Sequence, residues 1–142
     1  MSARDMMPDM TDIIRSGSMD IRVRYVDCDS MGIVHHSVYP VWLEMGRTEL
    51  LRETGITYRE LEDTGVLLAV IDLTVKYRRP AQYDDLLELT TEWIDAGRVK
   101  IRHQYTLRRD DEILATAETT LACVDREGRP QALPEHLQSC NT

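Results

Sequence analysis

The sequence predicts an α+β fold in which an antiparallel five-stranded sheet wraps around one long helix. Three features predict it. A single extended helical pattern follows the first strand pattern, every later long apolar run has strand character, and short turn signals separate those runs. Short connections join antiparallel neighbours, so four late strands and the first form one sheet, with the helix inserted after the first strand.

Residues 1–17 are polar, rich in methionine and without clear period, so they read as a flexible or capping N-terminal segment, and 18–142 as a single domain. Residues 19–25 alternate, with Ile21, Val23 and Tyr25 on one face, as in a half-buried strand. The principal helix is predicted over 37–54, with Val38, Val41, Trp42 and Met45 on one side and Leu43, Leu50 and Leu51 widening the apolar coverage. Ser37 is the expected N-cap, Pro40 falls in the first turn, where its missing N–H costs little, and Gly55 supplies the stop. A short helical turn is expected over 58–63. Strands follow over 66–77, 86–94, 98–109 and 113–124. Pro80 with Asp84-Asp85, Asp95-Ala96-Gly97 and Arg109-Asp110-Asp111 mark their connections. Pro130 and Pro134 end the pattern, and 133–138 forms a last turn. Sheet edges need covering, so a homo-oligomer is expected.

A chain of 142 residues fits one domain with a core of its own. A net charge of −8 argues against a general nucleic-acid binder, since phosphates want a positive footprint. It leaves room for an anionic small molecule held by local arginines. Cys28, Cys123 and Cys140 are odd in number and form no CxxC pair, which points to a reducing compartment, with Cys123 as a core residue. No apolar run approaches the roughly 20 residues of a membrane span, so no transmembrane segment is expected, and a cytoplasmic location follows by default.

The chemistry concentrates in Tyr25-Val26-Asp27-Cys28-Asp29-Ser30-Met31-Gly32-Ile33-Val34-His35-His36, between the first strand and the helix. Asp29 is the leading catalytic candidate: an ionised carboxylate can hold an attacking water, act as a base or attack directly. Gly32 allows the chain to turn toward the helix. The backbone N–H of His36, at the helix entrance, then faces an anion or a developing oxyanion. The alternative is that Asp27 and Asp29 only cap turns. No metal site is expected, because His103 and His136 stand at no ligand-type spacing from His35 and His36. Flanking carboxylates disfavour Cys28 as a thiolate nucleophile. Asp-x-Asp also opens aspartyl phosphatases, but those need a buried parallel strand before it, and here the strand alternates.

The run Asp27-Cys28-Asp29-Ser30-Met31-Gly32-Ile33-Val34, followed by His36, Tyr39, Glu44 and Arg47, resembles the 4-hydroxybenzoyl-CoA and YbgC-like branch of the hotdog-fold acyl-CoA thioesterases. The resemblance extends over residues 21–124 and includes the Arg-Pro-Ala segment before paired acids. It implies a hotdog fold, an acyl-CoA thioesterase without a cofactor of its own (coenzyme A is part of the substrate), Asp29 as the essential carboxylate and the His36 N–H as polariser of the thioester carbonyl. It also implies dimers or tetramers, with the acyl group between the helix and a neighbouring subunit. A histidine at His36 favours the YbgC-like side over a hydroxybenzoyl substrate. Another hotdog branch uses a helix carboxylate, which makes Glu44 a further catalytic candidate; its spacing to Arg47 also suits an intrahelical ion pair. Tyr39 is a candidate for packing or hydrogen bonding at the substrate. Arg98, Lys100 and Arg102, on one face of a strand, are candidates for coenzyme A phosphates, and Arg78 and Arg79 are their rivals. The alternatives to hydrolysis are a hotdog hydratase or dehydratase acting on acyl thioesters, with His36 and Glu44 as its pair, or a non-catalytic acyl-thioester binding protein.

Overall fold

Alternation along the late strands separates an apolar face from a polar one. In the strand Lys100–Arg109, Ile101, His103, Tyr105 and Leu107 are buried, while Lys100 and Arg102 face solvent. The computed structural model describes residues 13–138. Its strands are β1 (Arg15–Arg22), β2 (Leu67–Tyr77), β3 (Leu86–Ala96), β4 (Lys100–Arg109) and β5 (Glu112–Val124). Helix α1 (Tyr39–Arg52) follows β1 after a 3-10 turn at His36–Val38, and α2 (Tyr58–Asp63) precedes β2. The strands form one five-stranded antiparallel sheet in the order β1-β3-β4-β5-β2, wrapped around α1 as expected. Among the described residues no helix is long and apolar enough to cross a membrane.

The helix packs on β3 and β1. Its buried face is Tyr39, Trp42, Leu43, Gly46, Leu50 and Leu51, rotated from the predicted stripe. Val41 and Met45 are exposed, at 53% and 40%. Gly46 sets the rotation, because its missing side chain lets the helix backbone press onto Thr91 and Leu89 of β3. Ser37 is not the cap. Instead His35 precedes the 3-10 turn, and its Nδ1 accepts from the Ser37 N–H at 3.2 Å. Pro40 lies in the first turn of α1, and Gly55, at φ +95°, follows its end. Helix α2 forms over the predicted residues, capped by the Thr57 hydroxyl, which accepts from the Glu60 N–H at 3.2 Å.

The first strand departs from expectation at both ends. It begins at Arg15, pairing residues 15–22 with β3, so 15–17 are sheet rather than tail; residues 1–12 of the predicted segment lie outside the described residues. It ends at Arg22, and Tyr25 is 81% exposed instead of facing inward. Ile21 and Val23 do enter the core, and so does Cys123. Cys140 lies outside the described residues. At the other edge, α1 leaves β2 uncovered, and Val70, Ile71, Leu73 and Tyr77 are exposed. The outer face of β4 and β5 is polar, with Arg102 paired to Glu118 at 2.7 Å.

Candidate active site

Asp27 anchors the loop that leaves β1. Its Oδ2 accepts from the Arg24 backbone N–H at 2.9 Å and from Arg24 Nε at 3.2 Å, while Oδ1 accepts from Nη2 at 2.9 Å. Burial works to raise this carboxyl's pKa, but the hydrogen bonds and charge of Arg24 prevail and hold it below the ordinary value. The Asp27 carbonyl also accepts from the His35 N–H at 3.0 Å, which closes the loop at its neck. Asp27 therefore serves the loop's structure.

Within the loop, Cys28 bridges Val34, and the Asp29 N–H donates to the Ile33 carbonyl at 2.9 Å. The turn between them needs a left-handed residue, and Gly32 takes φ +80° there. Val34 N–H donates to the Ala81 carbonyl at 2.8 Å, and Ile33 bridges Gln82, so the β2–β3 connection holds the loop from outside. Asp29 is half-buried at its tip. Its Oδ1 accepts from the Met31 N–H at 2.8 Å; among the described residues no donor meets its Oδ2. Burial first, then Asp27, Asp29 and Asp85, push the Cys28 thiol's pKa up, which opposes a thiolate.

The chain next enters the helix. Among the described residues no acceptor meets the His36 N–H, the first of the turn His36–Val38. Its carbonyl accepts from the Tyr77 hydroxyl at 2.9 Å. The His36 ring is exposed and lies beside the His35 ring, centroids 4.2 Å apart. Tyr39 is buried, its ring edge-on to Tyr77 at 4.8 Å and against Trp42 at 5.3 Å. Burial raises the Tyr39 hydroxyl's pKa despite a hydrogen bond from the Ala81 backbone. Past this aromatic group lies a narrow apolar cleft of about 10 Å³, bounded by Trp42 and Leu43 of α1, Val75 of β2, Tyr105 of β4 and Ala115 and Ala117 of β5.

Asp29 and Gly32 lie in the loop that leads into His36 and Tyr39 at the helix entrance. The structure adds Tyr77, which holds the His36 carbonyl and packs on Tyr39, and which reads in the sequence as an ordinary strand residue. Glu44 is exposed on α1, and the expected pair with Arg47 does not form. Arg47 lies instead beside the hydroxyls of Tyr58 and Tyr105, while burial raises the pKa of both phenols. Arg79 pairs with Glu112 at 3.1 Å, and Glu112 also meets Arg109, which bonds Asp85 at 2.8 Å. Arg78 follows Tyr77 directly, is exposed, and among the described residues enters no ion pair. Arg98, Lys100 and Arg102 stand toward the far end of β4; Lys100 is roughly 30 Å along the strand from Arg109, which borders the loop's anchor. Within one subunit they do not join Asp29.

A family model described as the thioesterase-like superfamily matches residues 23–140. The acyl-CoA thioester hydrolase YbgC of Escherichia coli O6:H1 is 34% identical over 119 residues, covering 82% of this chain and 89% of that protein. The acyl-CoA thioesterase YbgC of Haemophilus influenzae is 33% identical over 124 residues, covering 86% and 91%. Among solved structures, the DHNA-CoA thioesterase of Staphylococcus aureus superposes with a TM-score of 0.80 at 26% identity, over 83% of this chain and 80% of that one.

Proposed function

Because the chain belongs to the thioesterase-like superfamily and is a thioester hydrolase of hotdog fold, we propose that it cleaves acyl-CoA to a free carboxylic acid and coenzyme A, with Asp29 as its catalytic carboxylate. The observation that carries this reading is the state of that side chain. One oxygen is fixed by the Met31 N–H and the other meets no donor among the described residues, on a loop that leads into a helix entrance whose first N–H has no acceptor among them. The thioester carbonyl oxygen takes the His36 N–H. Asp29 then orients and deprotonates a water that adds to the carbonyl carbon, or attacks that carbon itself and is freed by water. The C–S bond breaks, and the thiolate of coenzyme A leaves and takes up a proton. An oxyanion donor of this kind lowers the barrier by about 3 kcal/mol.

Arg78, beside Tyr77 and outside every ion pair of the described residues, is the cation we assign to the coenzyme A phosphates. Two copies of the chain pair along β2, whose exposed Val70, Ile71 and Leu73 then find cover. The polar outer face, with its Arg102–Glu118 pair, supports a homodimer rather than stacking of sheets into a tetramer.

The test is thiol release from a panel of aliphatic and aromatic acyl-CoAs by the wild type and by Asp29→Asn. The variant keeps the Met31 contact through its amide oxygen, so it should fold normally while losing most turnover. Undiminished thiol release by folded Asp29→Asn overturns the assignment. Thiol release separates hydrolysis from water addition to the acyl chain, and ligand binding without product marks a binding module.

A further inference from the structure

Ala117 of β5 stands opposite Tyr105 of β4, and Ala115 stands opposite Leu107. Two alanines on the inner face leave space over β5, and the apolar cleft occupies it. The Tyr105 ring reaches beyond its own register position. Its hydroxyl meets the Thr119 hydroxyl at 2.6 Å, the next inward residue of β5 past Ala117. The ring therefore spans from β4 to β5 across the Ala117 end of the cleft, held by the backbone on one side and by the hydroxyl on the other. It is 2% exposed, so it has no open space to swing into. Beyond it the interior turns polar, with Thr119, buried His103 and the Arg47 guanidinium. Tyr39 lines the other end: its ring meets Tyr77, which pairs with Ala115, and it follows the His36 amide by one turn.

We infer that Tyr105 sets the length of the acyl group this chain accepts. The cleft is narrow, so an acyl chain whose carbonyl sits at the His36 amide widens it, passing Tyr39 and Ala115 to Ala117, and stops against the Tyr105 ring. This inference rests on the thioester-hydrolase reading of the same site. Each methylene added within the cleft is worth up to about fourfold in binding, less the cost of widening the cleft. A methylene beyond the ring meets either the ring itself or the polar groups behind it. A plot of kcat/KM against chain length should thus rise and then break where the tail reaches Tyr105. Tyr105→Ala removes the barrier and moves the break to longer chains by about two carbons or more. Ala117→Val fills the cleft from β5 and moves it to shorter chains. Tyr105→Phe keeps the ring and should leave the break in place.

The experiment assays the full-length protein and these three variants for thiol release from straight-chain acyl-CoAs, acetyl to palmitoyl. The same proteins are titrated calorimetrically with S-alkyl coenzyme A thioethers of matching lengths. Opposite displacements of the break by Tyr105→Ala and Ala117→Val, in both series, support the inference. An unmoved break in the folded variants overturns it, as does failure of every thioether to bind the wild type. If Tyr105→Ala does not fold, Ala117→Val decides alone: a break that does not shorten is a refutation. A wild type that releases no thiol refutes hydrolysis instead, and the thioether series then judges Tyr105 independently.

Discussion

Replacing Gly46 with alanine puts a methyl group where α1 lies closest to the sheet. That carbon would collide with the Thr91 hydroxyl and stand 2.8 Å from Leu89 Cδ2. Thr91 and Leu89 are 2% and 1% exposed, so neither can move out toward solvent. Two effects oppose each other. Alanine favours the interior of a helix over glycine by about 1 kcal/mol. Forcing a methyl into a filled core costs about 1–3 kcal/mol, and a collision with a short, buried side chain belongs at the upper end. The collision wins, and Gly46→Ala should destabilise the fold by about 1–2 kcal/mol. Thr91→Ala removes the obstructing oxygen, which has no hydrogen-bond partner among the described residues. Losing that buried, unsatisfied hydroxyl offsets much of the lost packing, so this variant alone should stay within about 1 kcal/mol of the wild type. The double variant should then recover about 1 kcal/mol relative to additivity. Urea unfolding of all four proteins, followed by tryptophan fluorescence and far-ultraviolet dichroism at one protein concentration, measures the cycle. A Gly46→Ala protein as stable as the wild type, or strict additivity in the double variant, would refute the close approach of helix and sheet.

Two further expectations concern charge and assembly. Burial, and then the Arg47 charge, pushes the His103 pKa down to about 3 from an ordinary value of 6.5, so the unfolded chain binds a proton that the folded one refuses in that window. Stability should therefore fall as pH drops from 6.5 toward 3, by a few kcal/mol at most; His103→Leu should lose this component, and parallel urea midpoints for both proteins at pH 7 and pH 4 would contradict it. On the uncovered edge, Ile71→Lys should turn the proposed dimer into a monomer, read by sedimentation, whereas an unchanged association state would move the interface away from β2.

What was legible in the sequence was mostly local. Helix α2 carries its own start signal in Thr57 and Glu60, and it forms over the predicted residues. Each strand from β2 to β5 shows its alternation or its apolar run within its own length. The first strand failed for a non-local reason. Arg15-Ser16-Gly17-Ser18 has no pattern of its own and becomes strand because Thr90 to Trp93 offer it a partner. Its other end is cut short when Asp27 takes the Arg24 N–H and guanidinium, a contact that alternation of apolar residues does not encode. The helix face was misjudged because Gly46 counts as neutral in a periodic pattern, yet it decides which side approaches the sheet.

The same division runs through the site. Asp29, Gly32 and His36 are close in sequence, so the loop that joins them could be read before any fold was known. Their orientation is set from outside the loop. The Ala81 carbonyl takes the Val34 N–H, Gln82 bridges Ile33, and the Tyr77 hydroxyl holds the His36 carbonyl. Each of these residues is more than 40 positions from the one it holds, and each stands at or beyond the end of β2, the exposed edge strand. The β2 end is in turn fixed through Arg78 and Arg79, whose N–H groups donate to the Leu114 carbonyl at 2.9 and 3.1 Å. Pairing of two chains along β2 would therefore stiffen the same strand end that positions the helix entrance. An edge that is expensive to leave exposed is also the edge that orients the helix entrance, so on the proposed function association and catalytic geometry would share one structural element.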